Sequence, residues 1–355
     1  MRFALSDDQR MLQASVGKAL AELSPLERVR AYAEGGDAAD IWRGLADMGL
    51  PGLLIPEEHG GLGLGLVEAA LAAEALGAAA APAPFLGSAV LASLALRGGS
   101  AEQQARWLPR LAAGAATAGV AISERVAGAR DGAGVDARDG RLTGKALFVI
   151  DAEGADLLVV ADRTGALHLV DAPPAPEPMN SIDATRRLSE VTFRDTPAEP
   201  LGGNAGLERL RDAAWVMLAA DTLGAAQTML DRAVGYAKER RQFGRVIGSF
   251  QAVKHLCAEM AAELEPARAL VWYAAYAFDN APEEAGLMAA HAKAHLSEIG
   301  RFIARTSTEV HGGIGMTDLL GLHYWFKRIG LDRQLLGGPE RVREAAARAQ
   351  GLIPA

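Results

Sequence analysis

The chain has 355 residues, enough for two or three domains and a sizeable core, and 50% of them are hydrophobic, which together favour a globular protein rich in helix. A formal net charge of −8, a pI near 5.5 and no dense basic run make a nucleic-acid partner a poor expectation. One cysteine, Cys257, excludes an intrachain disulfide and suggests a reducing, cytoplasmic compartment.

Residues 1–115 read as helical. The start, MRFALSDDQRML, is charged too early for a signal peptide, and Ser6 followed by Gln9 is a capping-box pair. Ile41–Met48 is amphipathic and stops at Gly49; Pro51–Gly65 is a glycine-rich loop; Val67–Leu76 and Ala101–Ala113 are further helices. Leu66–Pro84 is alanine-rich, but Glu68 and Glu74 interrupt it, so it reads as a helix with its exit loop and not as a membrane span.

The pattern changes near Thr117. Gly119–Ile122, Arg141–Val149, Asp156–Ala161, Ala166–Val170 and Glu190–Arg194 are candidate strands, with prolines 173, 174, 176 and 178 marking a loop. This middle block reads as a small antiparallel β-domain or barrel. From Leu207 the helical period returns, with Leu207–Glu239, Ser249–Phe278, Glu283–Glu309, Asp318–Leu336 and Pro339–Gln350 as helices.

Several residues invite a functional reading, each beside a plainer one. Tyr236–Gln251, YAKERRQFGRVIGSFQ, places Arg240, Gln242, Phe243 and Gly244 at a helix end and Phe250 and Gln251 at the start of the next helix. A guanidinium, an amide and an aromatic ring around one turn suit a large anionic cofactor; two arginines at a helix end also compensate the macrodipole. Gly312 and Gly313 in VHGGIGMT are either a C-cap turn or a close approach of backbone to a ligand. Asp221, amid an apolar helical stretch, is either a structural carboxylate paired with an Arg or Lys, or a general base whose pKa is raised by its setting. Gly60–Gly65 lacks the βαβ surroundings of a dinucleotide fingerprint, and His291 with His295 lacks a third metal ligand at a persuasive spacing.

Taken together, LSDDQRML, LADMGLPGLLIPEEHGGLGLG, LTGKALFVIDAEGADLLVV, SEVTFRDTPAEPLG, YAKERRQFGRVIGSFQAVKHLCAEM and VHGGIGMT resemble the landmarks of the acyl-CoA dehydrogenase family, in the family's order and over nearly the whole chain. Within the family the chain looks most like the shorter subunits that partner a larger homologous one, as in pimeloyl-CoA dehydrogenase and the steroid side-chain enzymes. The resemblance implies a mainly α fold with a central β-domain: an N-terminal helical domain (1–115), a β-barrel-like middle domain (116–203) and a C-terminal four-helix bundle (204–355). It also implies FAD between the β-domain and the bundle, and α,β-dehydrogenation of an acyl-CoA thioester. In that reaction a carboxylate removes the α-proton while the β-hydrogen leaves as hydride. An electron-transfer flavoprotein is implied as acceptor, and a homodimer, homotetramer or mixed oligomer as the assembly.

By the same resemblance, Arg240, Gln242 and Phe243 match a stretch that holds FAD across a subunit contact. Phe250, Gln251, Gly312 and Gly313 match further cofactor contacts, and Asp212 matches an aspartate on the pantetheine arm. The departures are informative. The family's flavin-packing loop reads Ser123-Glu124-Arg125-Val126 here, and its next flavin contact reads Phe148-Val149-Ile150. Glu309 replaces a glutamine and sets a carboxylate near cofactor phosphates, which is repulsive unless a cation offsets it. The usual base near the C-terminus is replaced by Leu335-Leu336-Gly337-Gly338, and a second base location aligns with Ala214. Asp221, two turns further along that helix, is the candidate catalytic base; related small subunits carry Glu there, and Asp is shorter by roughly 1.5 Å. The expected function is therefore FAD-dependent acyl-CoA dehydrogenation, with the alternative of a catalytically weak subunit that completes the FAD site of a larger partner.

Overall fold

Ser6 caps the first helix, α1 (Asp7–Leu23), in the reciprocal way that its spacing to Gln9 predicts. Ser6 Oγ accepts the Gln9 N–H at 3.1 Å, and Gln9 Oε1 accepts the Ser6 N–H at 2.9 Å. The computed structural model describes residues 4–202 and 206–354. After α2 (Leu26–Ala33) and α3 (Ala39–Asp47), left-handed Gly49 turns the chain into the glycine-rich loop. The buried alanine-rich helix α4 (Leu66–Ala78) is followed by a π-helical segment, Phe85–Ala92, which runs into α5 (Ser93–Arg97). In α6 (Ala101–Ala112) the cap of α1 recurs, with Ser100 and Gln103.

Among the described residues the middle of the chain forms one sheet of eight strands: β1 (Ala118–Ala121), β2 (Gly134–Arg138), β3 (Arg141–Ile150), β4 (Leu157–Ala161), β5 (Leu167–Val170), β6 (Glu177–Met179), β7 (Leu188–Pro197) and β8 (Glu199–Pro200). A short helix, α7 (Ser123–Val126), lies between β1 and β2. The strand order is β6-β7-β3-β1-β4-β5-β8, with β2 on β3. This corrects the antiparallel expectation: β1 and β4 pair in parallel, from Ala118 opposite Leu157 to Ala121 opposite Val160. Both strands are buried along their whole length, as parallel pairs require. Strand β6, around Pro178, lies where the prolines suggest only loop; it is an edge strand, where a missing N–H is tolerated.

Helix α8 (Leu207–Glu239) spans 33 residues, about 50 Å at 1.5 Å per residue. A minimal hairpin, β9 (Arg241–Gln242) and β10 (Arg245–Val246), joins it to α9 (Gln251–Asn280), and α10 (Pro282–His311) returns alongside. The run expected as one helix over Asp318–Leu336 is instead a 3₁₀ turn, left-handed Gly321 (φ 62°) and α11 (Leu322–Gln334). The last helix is α12 (Pro339–Ala349). The expected domain limit at 203/204 touches residues outside those described. Among the described residues no helix is long and apolar enough to cross a membrane.

Side chains of β4 alternate between two cores. Leu157, Val159 and Ala161 join the main core, shared with the helices; Leu158 and Val160 join a smaller one with Val135, Leu142 and Phe193. Helices α4 and α8 meet backbone to backbone. A Cβ added to Gly77 would lie 2.0 Å from the Asp221 carbonyl oxygen, and one on Gly224 would lie 1.8 Å from that of Glu74.

Candidate active site

Three regions carry the residues that the sequence singles out. The first is the tip of the α8–α9 connection. Arg240 caps α8: its N–H donates to Tyr236 O at 2.8 Å and its carbonyl accepts the Ile247 N–H at 2.7 Å. Gln242 pairs with Arg245, so Phe243 (φ 53°) and Gly244 (φ 76°) form a two-residue loop with both φ positive, as a type I′ turn has. Phe243 is 90% exposed. Its ring meets Phe250 edge-on at 6.2 Å, and the Arg245 guanidinium stacks on Phe250 at 4.0 Å. Gln251 opens α9 and is exposed.

Tyr236 and His311 join this hairpin to the end of α10 by stacking at 4.7 Å, and His311 Nδ1 lies 2.7 Å from Ser307 O. Gly312 (φ 64°) and Gly313 follow; a Cβ on either would meet nothing within 4 Å. Glu309 lies exposed one turn earlier. Among the described residues, the side chains of Arg240, Gln242 and Glu309 make no hydrogen bond or ion pair. The Tyr236–His311 stack thus brings together the helix ends that carry an exposed cation, amide and aromatic ring on one side and open glycine backbone on the other.

The second region is the sheet. Ser123 is buried at the start of α7, and its hydroxyl donates to Phe148 O at 3.1 Å. Phe148 is left-handed (φ 52°) at a register shift of β3, and the Arg130 guanidinium lies 4.3 Å from its ring. Glu124 Oε1 accepts the Leu147 N–H at 2.6 Å, and burial raises its pKa. Here the polar groups that the family resemblance assigns to a flavin are engaged within the chain.

The third region lies between sheet and bundle. Asp221 on α8 is 3% exposed. It accepts Arg328 Nε at 2.8 Å on Oδ1 and Arg328 Nη2 at 2.7 Å on Oδ2, while Arg186 Nη2 lies 2.5 Å from Oδ2. Burial pushes the carboxyl up, but Arg186 and Arg328 outweigh it and hold the pKa at about 2. The raised pKa expected for a general base is therefore corrected: the paired structural carboxylate is what this geometry shows. Arg186 also bridges Asp332, whose other oxygen accepts Thr222 Oγ1 at 3.2 Å and whose carbonyl accepts Lys293 Nζ. Burial raises the Asp332 pKa and lowers that of Lys293. Arg328 Nη1 donates to Thr185 Oγ1 at 3.0 Å and to Ala81 O at 3.2 Å.

These charges border a cavity of about 30 Å³, lined by Ile150, Asp151 and Leu188 from the sheet side and Met217, Leu218 and Leu335 from the bundle. Small-molecule sites run to about 300–1,000 Å³. This space, where the family resemblance implies the flavin, does not fit one. Of the two family base positions, Ala214 is buried and Leu336 accepts the Trp215 indole N–H at 2.8 Å.

Neither Arg186 nor Arg328 stands out in a first reading of the sequence. A signal was present for the second: Leu322, Trp325, Ile329 and Asp332 mark the buried face of α11, and Arg328 falls on it. At the other end of α8, Asp212 is 8% exposed and bonded to Arg211 at 2.9 Å; burial raises its pKa against the Arg211 charge. Beside it runs a groove of about 500 Å³ that includes Arg125, Arg211, Arg341, Arg348 and the Trp215 ring, together with Glu208 and Glu344, the latter paired with Arg348. Converging guanidinium groups suit phosphate oxygens.

Residues 208–351 match the family model for the acyl-CoA dehydrogenase C-terminal domain, and residues 6–115 match that for the N-terminal domain. Acyl-CoA dehydrogenase IpdE2 of Mycolicibacterium smegmatis is 33% identical over 97% of this chain and 99% of its own. A chain of the Tcur3481-Tcur3483 steroid ACAD G363A variant superposes with a TM-score of 0.87 over 98% of both chains at 30% identity. A chain of the ChsE4-ChsE5 complex from Mycobacterium tuberculosis superposes with a TM-score of 0.91 over 100% of both at 27% identity.

Proposed function

The chain belongs to the acyl-CoA dehydrogenase family, and on that footing we propose that it works as one subunit of an assembly that oxidises an acyl-CoA thioester with FAD, completing the cofactor site of a neighbouring homologous chain. One observation carries this: the hairpin and the glycine turn are exposed with unspent polar groups, while the cavity beside Asp221, between sheet and bundle, holds only about 30 Å³.

In the proposed site, FAD supplies the acceptor for the hydride that leaves the substrate β-carbon. Arg240 holds phosphate oxygens from the end of α8, and Gln242 hydrogen-bonds a polar edge. Phe243 covers apolar cofactor surface, and Phe250 supports it from behind. Gln251 donates from the first turn of α9, and the Gly312–Gly313 backbone approaches without a Cβ in the way. Ser123 and Asp221 contribute by holding the β3 bulge and the α8–α11 contact in place.

The substrate is an acyl-CoA; its phosphates fit the arginine groove near Asp212, and the steroid-class relatives point to a bulky, ring-bearing acyl group. The partner is a larger homologous subunit, the electron acceptor an electron-transfer flavoprotein, and the domains divide at 115/116 and 203/204. The competing possibility, that this chain abstracts the proton itself through Asp221, rests on Asp221 bordering the small cavity. Purifying the chain with its partner and measuring flavin absorbance per chain separates the two. One flavin per two chains is expected; one per chain would return catalysis, and Asp221, to this subunit.

A further inference from the structure

The charges around Asp221 come from parts of the chain far apart in sequence. Arg186 and Thr185 belong to the segment entering β7, Asp221 and Thr222 to α8, Lys293 to α10, and Arg328 and Asp332 to α11. The carbonyl of Ala81 comes from the segment after α4. All of these side chains are buried or nearly so: Asp221 is 3% exposed, Arg328 2%, Asp332 1% and Lys293 1%. In a protein whose hydrophobic cores run nearly unbroken, so many charges at one point are costly unless each is matched. Most are: the two aspartates share Arg186, Arg328 grips Asp221 with two parallel bonds, and Thr185, Thr222 and a carbonyl take up further donors and acceptors, while Lys293 meets the Asp332 carbonyl and the neighbouring buried Asp183 keeps Oδ2 without a partner.

We infer that this ion knot takes over, within this chain, the tying of sheet to bundle that a bound flavin supplies in a loaded subunit, so that the chain holds its fold and its docking face without a cofactor of its own. The inference rests on the proposed partner role but goes beyond it, since a subunit could lend a hairpin and still need a flavin to close its own cleft. The knot joins the three parts of the molecule that line the small cavity. Arg186, Asp221 and Arg328, which border that space, are bonded to one another. The chain is thus a preformed half onto which the loaded partner assembles.

Hydrogen exchange on the purified assembly, with its flavin and after flavin removal, tests this. The backbone amides of 183–187, 217–224 and 325–333 are expected to keep their protection when flavin leaves, whereas those of 240–251 and 312–313 lose it. Loss of protection at the knot segments on flavin removal would overturn the inference. An unchanged hairpin with an unchanged knot would overturn the proposed cofactor contact and leave the knot standing. In the same assembly Arg328→Met should speed exchange in the middle of α8 by at least about tenfold, at unchanged flavin absorbance. If that variant does not fold, Arg328→Lys, which keeps the charge but loses the paired bonds, should show a smaller rise. No rise in the variant that folds would equally refute the knot.

Discussion

Asp151 closes β3 with a left-handed backbone (φ 53°) and accepts the Gly87 N–H from the π-helical segment at 2.7 Å. Burial lifts its pKa to about 6, against that hydrogen bond and the charges of Arg186 and Arg328. A folded pKa above the unfolded value means that the native state binds the proton more tightly. Asp151 therefore costs stability above about pH 6, and the cost fades as pH falls towards about 4. Asp151→Asn should be more stable than the parent near neutral pH, by at most about 3 kcal/mol in denaturant unfolding, with the gap closing on acidification. A gap that persists at low pH would point to packing instead of charge. Asp221 runs the opposite way: its pKa of about 2 contributes stability above the unfolded value that is lost as pH falls from about 4 to 2. The sequence shows Asp221 as a buried carboxylate because its helical neighbours are apolar. It could not show the partners, since Arg328 lies 107 residues further on and only the fold brings the two together.

Among the elements, those with local causes are the ones that can be read ahead. The capping boxes of α1 and α6 are set by two side chains three residues apart, and the strands by runs of β-branched residues. The parallel pairing of β1 with β4 is not local: β2 and β3 intervene, and the partner of a strand depends on the whole path. The π-helical Phe85–Ala92 is apolar but for Ser88, so its period carries no signal. The β9–β10 hairpin sits between these cases. QFGR contains the glycine that a tight turn needs, but a phenylalanine at positive φ is unfavourable by about 1–2 kcal/mol. That strain, on a ring 90% exposed, makes sense as the cost of displaying the ring. Phe243→Asn should accordingly keep or raise the melting temperature while weakening flavin retention in the assembly, read as faster loss on dialysis. Retention at the parental level would remove Phe243 from the cofactor site.

For the molecule as a whole, the three most exposed of the large apolar side chains share one end. Phe243, Met316 (81% exposed) and Leu319 (74%) lie on or just beyond the ends of α8 and α10, which the Tyr236–His311 stack holds side by side. Scattered exposed hydrophobics are ordinary; grouped beside unspent polar groups, they mark an interface. Met316→Glu should split the assembly, seen as a lower mass in light scattering, and flavin should be lost in step. An intact assembly would place the interface elsewhere. The family resemblance made the overall architecture and this face legible. The closed cleft was not, because it follows from charges contributed by four separate elements.

The glycine crossing of α4 and α8 has a consequence for how such an assembly could breathe. At Gly77 and Gly224 the two helices touch through bare backbone, with no side chain there to switch rotamer, so the crossing cannot close further or slide without a clash. The sheet is fastened differently, by long side chains such as Arg186 that can bend. The glycine crossing is therefore the tightest seam of the helical part, and the ion knot ties the sheet to it.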